Sequence, residues 1–74
     1  MAALTKYDYS TDYAEFCISG AAELPKLPNT SRGGADELAG YDKIKAGIAY
    51  TTDGNFDVYT LDTATDEWNK IGGD

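Results

Sequence analysis

The stretch GIAYTTDGNFDVYTLDTATDEWNKI, residues 47–71, is the only part of the chain with a sustained period, and that period belongs to a β-sheet. Side chains on a strand alternate between faces, so a one-residue change of register sends the apolar set to the opposite side. Gly54-Asn55 reads as the centre of a tight hairpin turn, because both residues tolerate the positive φ such turns need. Asp53 then faces Phe56, Thr51 faces Val58, Tyr50 faces Tyr59 and Ile48 faces Leu61. With residues 63–66 as the next loop, Leu61 faces Trp68 and Val58 faces Ile71. One face collects Ile48, Tyr50, Tyr59, Leu61 and Trp68; the other collects Ala49, Phe56, Val58 and Ile71. The competing turn, Asp53-Gly54, would set Tyr50 against Asp57 and is less coherent. The pattern predicts a three-stranded antiparallel meander. Sheets of this kind normally leave one face wet, so apolar groups on both faces call for cover from the preceding residues or from another chain.

The expected fold is mostly β: a C-terminal meander (47–74), an N-terminal arm or strand (1–20), and between them a Pro/Gly-rich connector with one short helical turn (21–46). At 74 residues this is a single domain. Folding at this size buries only about 60% of the unfolded surface, and such chains usually rely on disulfides, a metal or a partner subunit. Cys17 is the only cysteine and histidine is absent, which excludes an internal disulfide and a tetrahedral zinc site. Oligomerisation is the remaining route. Cys17 lies between Phe16 and Ile18 with no basic neighbour, and reads as a buried apolar residue rather than a reactive thiol.

The net charge is −7, from 13 acidic and 6 basic residues, with the acids spread along the chain. Nucleic-acid binding needs a basic patch, and the Lys43/Lys45 pair is not one. The acidity suits solubility and a basic partner surface. Residues 1–4 carry no signal-peptide pattern, and no apolar run of about 18 residues or more offers a membrane span. The expectation is a soluble protein made in a cytoplasm.

Along residues 7–20, strand alternation sets Tyr7, Tyr9, Thr11, Tyr13 and Cys17 on one side and Ala14, Phe16 and Ile18 on the other. A helix from Asp12, with Glu15 at capping-box spacing, competes; extended structure over 15–19 is preferred. The tyrosines either form an arm on a neighbour, where Tyr gives much contact area for little lost entropy, or pack on this chain's own sheet. In the connector, Pro25 and Pro28 bias the residues before them toward extended geometry. Leu24 and Leu27 are the anchors that pin it to the sheet, a better use of LPKLP than a polyproline ligand. Asn29-Thr30-Ser31 matches a glycosylation acceptor, without force in the absence of secretion. ADELAG, residues 35–40, reads as one helical turn closed by Gly40, and Ile44 as an inward residue.

Catalytic constellations are missing. No His can serve a nucleophile, and a shallow sheet offers no cleft to raise a carboxyl pKa for glycoside chemistry. Residues 53–57 begin like a calcium loop, but Val58 stands where Gly is required and Ala64 where a bidentate Glu should be. Gly33-Gly34 lacks the Lys-Ser/Thr of a phosphate loop. The reading is a non-enzyme with no cofactor and no metal.

Taken together, Leu27-Pro28, Gly34, Leu38, Gly47, Ala49-Tyr50, Tyr59 and Trp68 give residues 24–71 a resemblance to small virion structural proteins of tailed bacteriophages. The resemblance implies a head-fibre, head-decoration or fibre-base component located in the virion, acting by protein–protein binding and without an active site. Interface candidates are Tyr7, Tyr9, Tyr13, Tyr50, Tyr59 and Trp68. The partners would be a capsid or fibre protein and the chain itself. A closed trimer around the aromatic face is favoured, burying roughly 800 Å² per subunit. The alternative is a small acidic phage-encoded inhibitor of a host protein.

Overall fold

A computed structural model describes residues 1–52 and 56–72. Strict alternation builds the centre of the sheet. In Tyr13–Ile18 the odd positions are half-buried, whereas Ala14, Phe16 and Ile18 are wholly shielded from solvent. In Ala46–Thr51 the shielded positions are Gly47, Ala49 and Thr51, and in Val58–Asp62 they are Tyr59 and Leu61. With β1 (Ala3–Asp8), β2 (Tyr13–Ile18), β3 (Ala46–Thr51), β4 (Val58–Asp62) and β5 (Glu67–Gly72), the chain forms one mostly β structure: a five-stranded sheet ordered β1-β2-β3-β4-β5. Neighbours are antiparallel except β2 and β3, which are parallel.

The meander expected over residues 47–74 is matched in part. β3, β4 and β5 are consecutive antiparallel neighbours, and Leu61 faces Trp68 as predicted. They form three strands of a larger mixed sheet, however, and the β3–β4 register differs by one residue. Ala49, not Tyr50, opposes Tyr59, and Val58 opposes Tyr50. The Gly54-Asn55 turn lies outside the described residues. Beside it, the Thr51 N–H donates to the Asp57 carbonyl at 2.9 Å, and the Asp57 N–H donates to Thr51 Oγ1 at 2.8 Å. That pairing fixes the slip. At the far end a register shift pairs Val58 with Gly72 rather than Ile71.

The slip reassigns the faces. Tyr59, Leu61 and Trp68 share the inner face with Ala49, while Ile48 and Tyr50 move to the outer one. The small inner residues of β3 explain why this register wins. A Cβ built on Gly47 would lie 2.7 Å from Trp68 Cη2, 3.0 Å from Ile44 Cδ1 and 3.3 Å from the Ala14 carbonyl oxygen. The opposite parity would thrust Ile48 and Tyr50 into that space. Trp68 cannot retreat easily: its Nε1–H donates to the Pro28 carbonyl at 3.1 Å, and its ring meets Phe16 edge-on with centroids 6.0 Å apart.

Residues 1–20 are neither a free arm nor one strand. A turn after Asp8 folds them into the β1–β2 hairpin, so Tyr7 pairs with Ala14 on the inner side while Tyr13 lies on the outer side. Cys17 is likewise half-buried on the outer face opposite Tyr50, which corrects its assignment to the core.

A parallel pair needs a crossover of about a dozen residues or more, and the connector supplies it. It becomes the second layer over the inner face. Leu27, Pro28, Leu38 and Ile44 are fully buried, and Leu24 packs against them, so the expected leucine anchors are in place. The structure has two short 3-10 helices, Ala21–Lys26 and Asp36–Leu38, where one turn was expected near residue 36. Leu27 is extended before Pro28 as predicted, but Leu24 is helical before Pro25. Local proline bias yields there to tertiary contacts, because the same helix seats Leu24 on the core and brings Glu23 under Ser19. Asn29 is 92% shielded and clamps the connector to the β4–β5 turn. Its Nδ2 donates to the Asp66 carbonyl at 3.1 Å, and its Oδ1 accepts from the N–H groups of Ser31 and Arg32. The Asp66 carboxylate accepts from Thr30 N–H and Oγ1 at 2.8 and 2.7 Å and from Ser31 Oγ. The amide of the glycosylation-like triplet is thus consumed internally.

Two outcomes follow. Gly47→Ala should cost about 1–3 kcal/mol by overpacking against a tethered indole, lowering Tm by several degrees in a thermal melt; an unchanged Tm would exclude the Trp68 placement. The second concerns acid. Glu23 Oε1 accepts from the Ser19 N–H at 2.6 Å, and Oε2 lies 3.3 Å from the Met1 amino nitrogen and 3.5 Å from Lys26 Nζ. The Ser19 amide foremost, then the two cations, hold its carboxyl at about 2, below the ordinary 4.5. A depressed carboxyl adds stability that is present above the unfolded value and lost as the folded one is approached. Stability should therefore fall as the pH drops from 4.5 toward 2, and Glu23→Gln should flatten that part of a Tm-versus-pH curve.

Candidate interaction surface

The outer face of the sheet is the surface left open, because the connector lies on the other. Register places its residues side by side. Glu15 neighbours Ile48 and Cys17 neighbours Tyr50 across the parallel pair, and Ile48 neighbours Thr60 and Tyr50 neighbours Val58 across the next. Cys17, Ile48 and Val58, all half-buried, form an apolar strip with Tyr50, which is exposed at 36%. β-Branched and aromatic residues sit well on a pleated surface, so the same residue types serve the strand and the surface.

Polar groups surround the strip. The Tyr13 hydroxyl donates to Glu15 Oε2 at 2.8 Å; burial first, and then this carboxylate, raise the phenol above its usual range. Asp62 stands directly opposite Glu67, Asp8 opposite Tyr13, and Lys6 opposite Glu15. Asp62 Oδ1 accepts from the Ala64 N–H at 3.0 Å, and Asp8 Oδ1 from Ser10 N–H and Oγ. The Ser10 hydroxyl and amide hold the Asp8 carboxyl below its usual value.

The six interface candidates divide. Tyr50 and Tyr13 are on the outer face. Tyr9 is 86% exposed at the β1–β2 turn, its ring 4.6 Å from that of Tyr7. Tyr7 is half-buried on the inner side, and its hydroxyl donates to Asp12 Oδ1 at 3.0 Å, a bond that raises the phenol's pKa. Tyr59 is only 7% exposed and belongs to the core; Trp68 packs against that core. The structure therefore brings Tyr13 and Tyr50 to one surface and turns Tyr7, Tyr59 and Trp68 inward. Sequence reasoning missed Cys17, Ile48 and Val58 as members of the open strip. The small residues at 47 and 49 carried the signal, since they mark the side of β3 that must accept bulky neighbours.

Phe56 and Ile71 are also exposed, at 72% and 62%. Phe56 has φ 54, an uncommon conformation for a bulky side chain. Among the described residues there is no pocket, no cluster of groups that could hold a metal ion, and no helix long and apolar enough to cross a membrane. What the surface offers is contact area with an acidic margin.

The division gives a direct test. Tyr59→Ala should destabilise by about 3–5 kcal/mol, as for other large buried aromatics. Tyr50→Ala should cost far less, because surface changes usually stay within about 0.5 kcal/mol. Urea melts of the two variants would show the gap; similar losses would mean that Tyr50 is covered too. No protein family, curated protein or solved structure matches this chain.

Proposed function

We propose that the chain is a protein-binding module that acts as a structural component of a tailed-phage particle, of head-decoration, head-fibre or fibre-base type. The observation that carries the binding part is the open outer face, with Cys17, Ile48, Tyr50 and Val58 in one strip and no part of the connector over it. An apolar sheet face of this kind is a common site of protein contact. The particle assignment rests on the resemblance of residues 24–71 to small virion proteins, and on a small β-domain suited to repeated copies. In this reading the protein is not an enzyme, needs no cofactor, and reaches the virion from the host cytoplasm.

The partner is a capsid or fibre protein, or another copy. A trimer closed around Tyr50, Tyr59 and Trp68 loses its motivation, because Tyr59 and Trp68 are used within the chain. Self-association would have to use the outer face instead. The second reading, an acidic phage-encoded inhibitor of a host protein, is favoured by one observation: Glu15, Asp62 and Glu67 all border that face.

Mass spectrometry of purified particles separates the two. The structural reading expects the chain at many copies per particle, with Cys17 protected from alkylation there relative to the free protein. A chain absent from particles that co-purifies with one host protein would overturn it in favour of the inhibitor.

A further inference from the structure

We infer that the open face takes a protein surface whose apolar centre is bordered by lysine or arginine, and not a second copy of this chain. This rests on the binding reading above and specifies its partner. The centre of the face is the strip Cys17–Tyr50–Val58 with Ile48 beside it. Its margin is acidic on both sides: Glu15 next to Ile48, and Asp62 opposite Glu67. Among the described residues, Lys6 is the one cation whose register sets it on this face, and none of these three acids forms an ion pair with a described cation.

The Asp62/Glu67 pair is the telling feature. Like charges directly opposite each other on neighbouring antiparallel strands destabilise a sheet. Asp62 gains a turn hydrogen bond from Ala64 N–H and a contact with Asn69 Nδ2 at 3.4 Å, but these leave both charges uncompensated. A lysine or arginine set between the two carboxylates would turn a cost of the free chain into a gain of the complex. Two copies meeting through this face would instead bring acid against acid, on chains that each carry −7. Such juxtaposition suppresses a wrong partner, whereas complementary charge speeds encounter and fixes register. The apolar strip then supplies the buried area.

The probe is a synthetic peptide of about ten residues in which lysine alternates with valine, titrated into the isotope-labelled full chain at about 0.15 M salt. Two controls keep the length: lysine alternating with serine, and glutamate alternating with valine. The Lys/Val peptide should bind saturably and shift backbone amides of β2, β3 and β4, with the largest changes near Ile48, Tyr50 and Asp62. The Lys/Ser peptide should bind at least about tenfold more weakly, and the Glu/Val peptide not at all. Glu67→Lys, which sets a lysine opposite Asp62, should weaken Lys/Val binding severalfold while the Tm is kept or raised; Ile48→Ser should weaken it without changing its salt dependence. No saturable binding by millimolar peptide, equal binding of the Lys/Ser peptide, shifts confined to other surfaces, or dimerisation of the free chain through these same amides would each overturn the inference. Particle composition is a separate readout. Peptide binding by a chain absent from particles removes the particle assignment alone, and an abundant particle protein that ignores the peptide removes this inference alone.

Discussion

The parallel pairing of β2 with β3 is the constraint on which the rest of the structure depends. Two parallel strands cannot be joined by a tight turn, so the chain must leave the sheet after Ile18 and return at Ala46, at the opposite end of the pair beside Tyr13. The intervening residues have to cross one face, and that requirement converts a Pro/Gly-rich connector into a layer of the core. Leu27, Leu38 and Ile44 are buried because the crossover carries them over Ala14, Phe16 and Ala49. The layer lies close to the sheet because β3 is small there. Gly47 leaves the gap that the Trp68 indole occupies, and the Pro28 carbonyl holds the indole in it. Strand pairing, connector and closing tryptophan are one packing solution.

A small domain without a disulfide or histidine-bearing metal site has to hold its crossover by other means, and here they are polar. Asn29 and Asp66 join the connector to the β4–β5 turn through hydrogen bonds that satisfy both backbones. Glu23, Lys26 and Glu37 join the two 3-10 helices to each other, and the Ser19 and Ala2 N–H groups donate to the two glutamates. Bonds to ionised groups are stronger than neutral ones, and those from Ala2 to Glu37, from Lys26 to Glu37 and from Thr30 to Asp66 join segments distant in sequence. The acidic composition is therefore not all surface charge: part of it ties the connector down.

Covering one face fixes the character of the other. Once Tyr59 and Trp68 turn toward the connector, the outer face carries Ile48, Tyr50, Val58 and Cys17 within a margin of carboxylates. Charge at the edge and apolar area at the centre is the usual division of labour at a protein interface, the first setting specificity and the second contributing area.

The sequence by itself determined the strand character of the last third. Alternation in residues 47–71 specified strands, the loop at 63–66 and the Leu61/Trp68 pairing were legible, and Leu24 and Leu27 declared themselves as anchors beside proline, whereas β1, its hairpin with β2 and the first 3-10 helix were not legible. It also determined that no histidine or second cysteine is there to do chemistry. What it could not determine was parity at β3. Ile48 and Tyr50 are the larger residues, and local hydrophobicity alone sends them inward. Only the tertiary structure shows that the inner side of β3 has no room, because Trp68, Ile44 and Ala14 converge on Gly47 from three different segments. The parallel β2–β3 pair was hidden for the same reason. Antiparallel neighbours joined by a turn leave a mark in nearby sequence, whereas a crossover pairs residues far apart along the chain and is selected by what the connector can bury on its way.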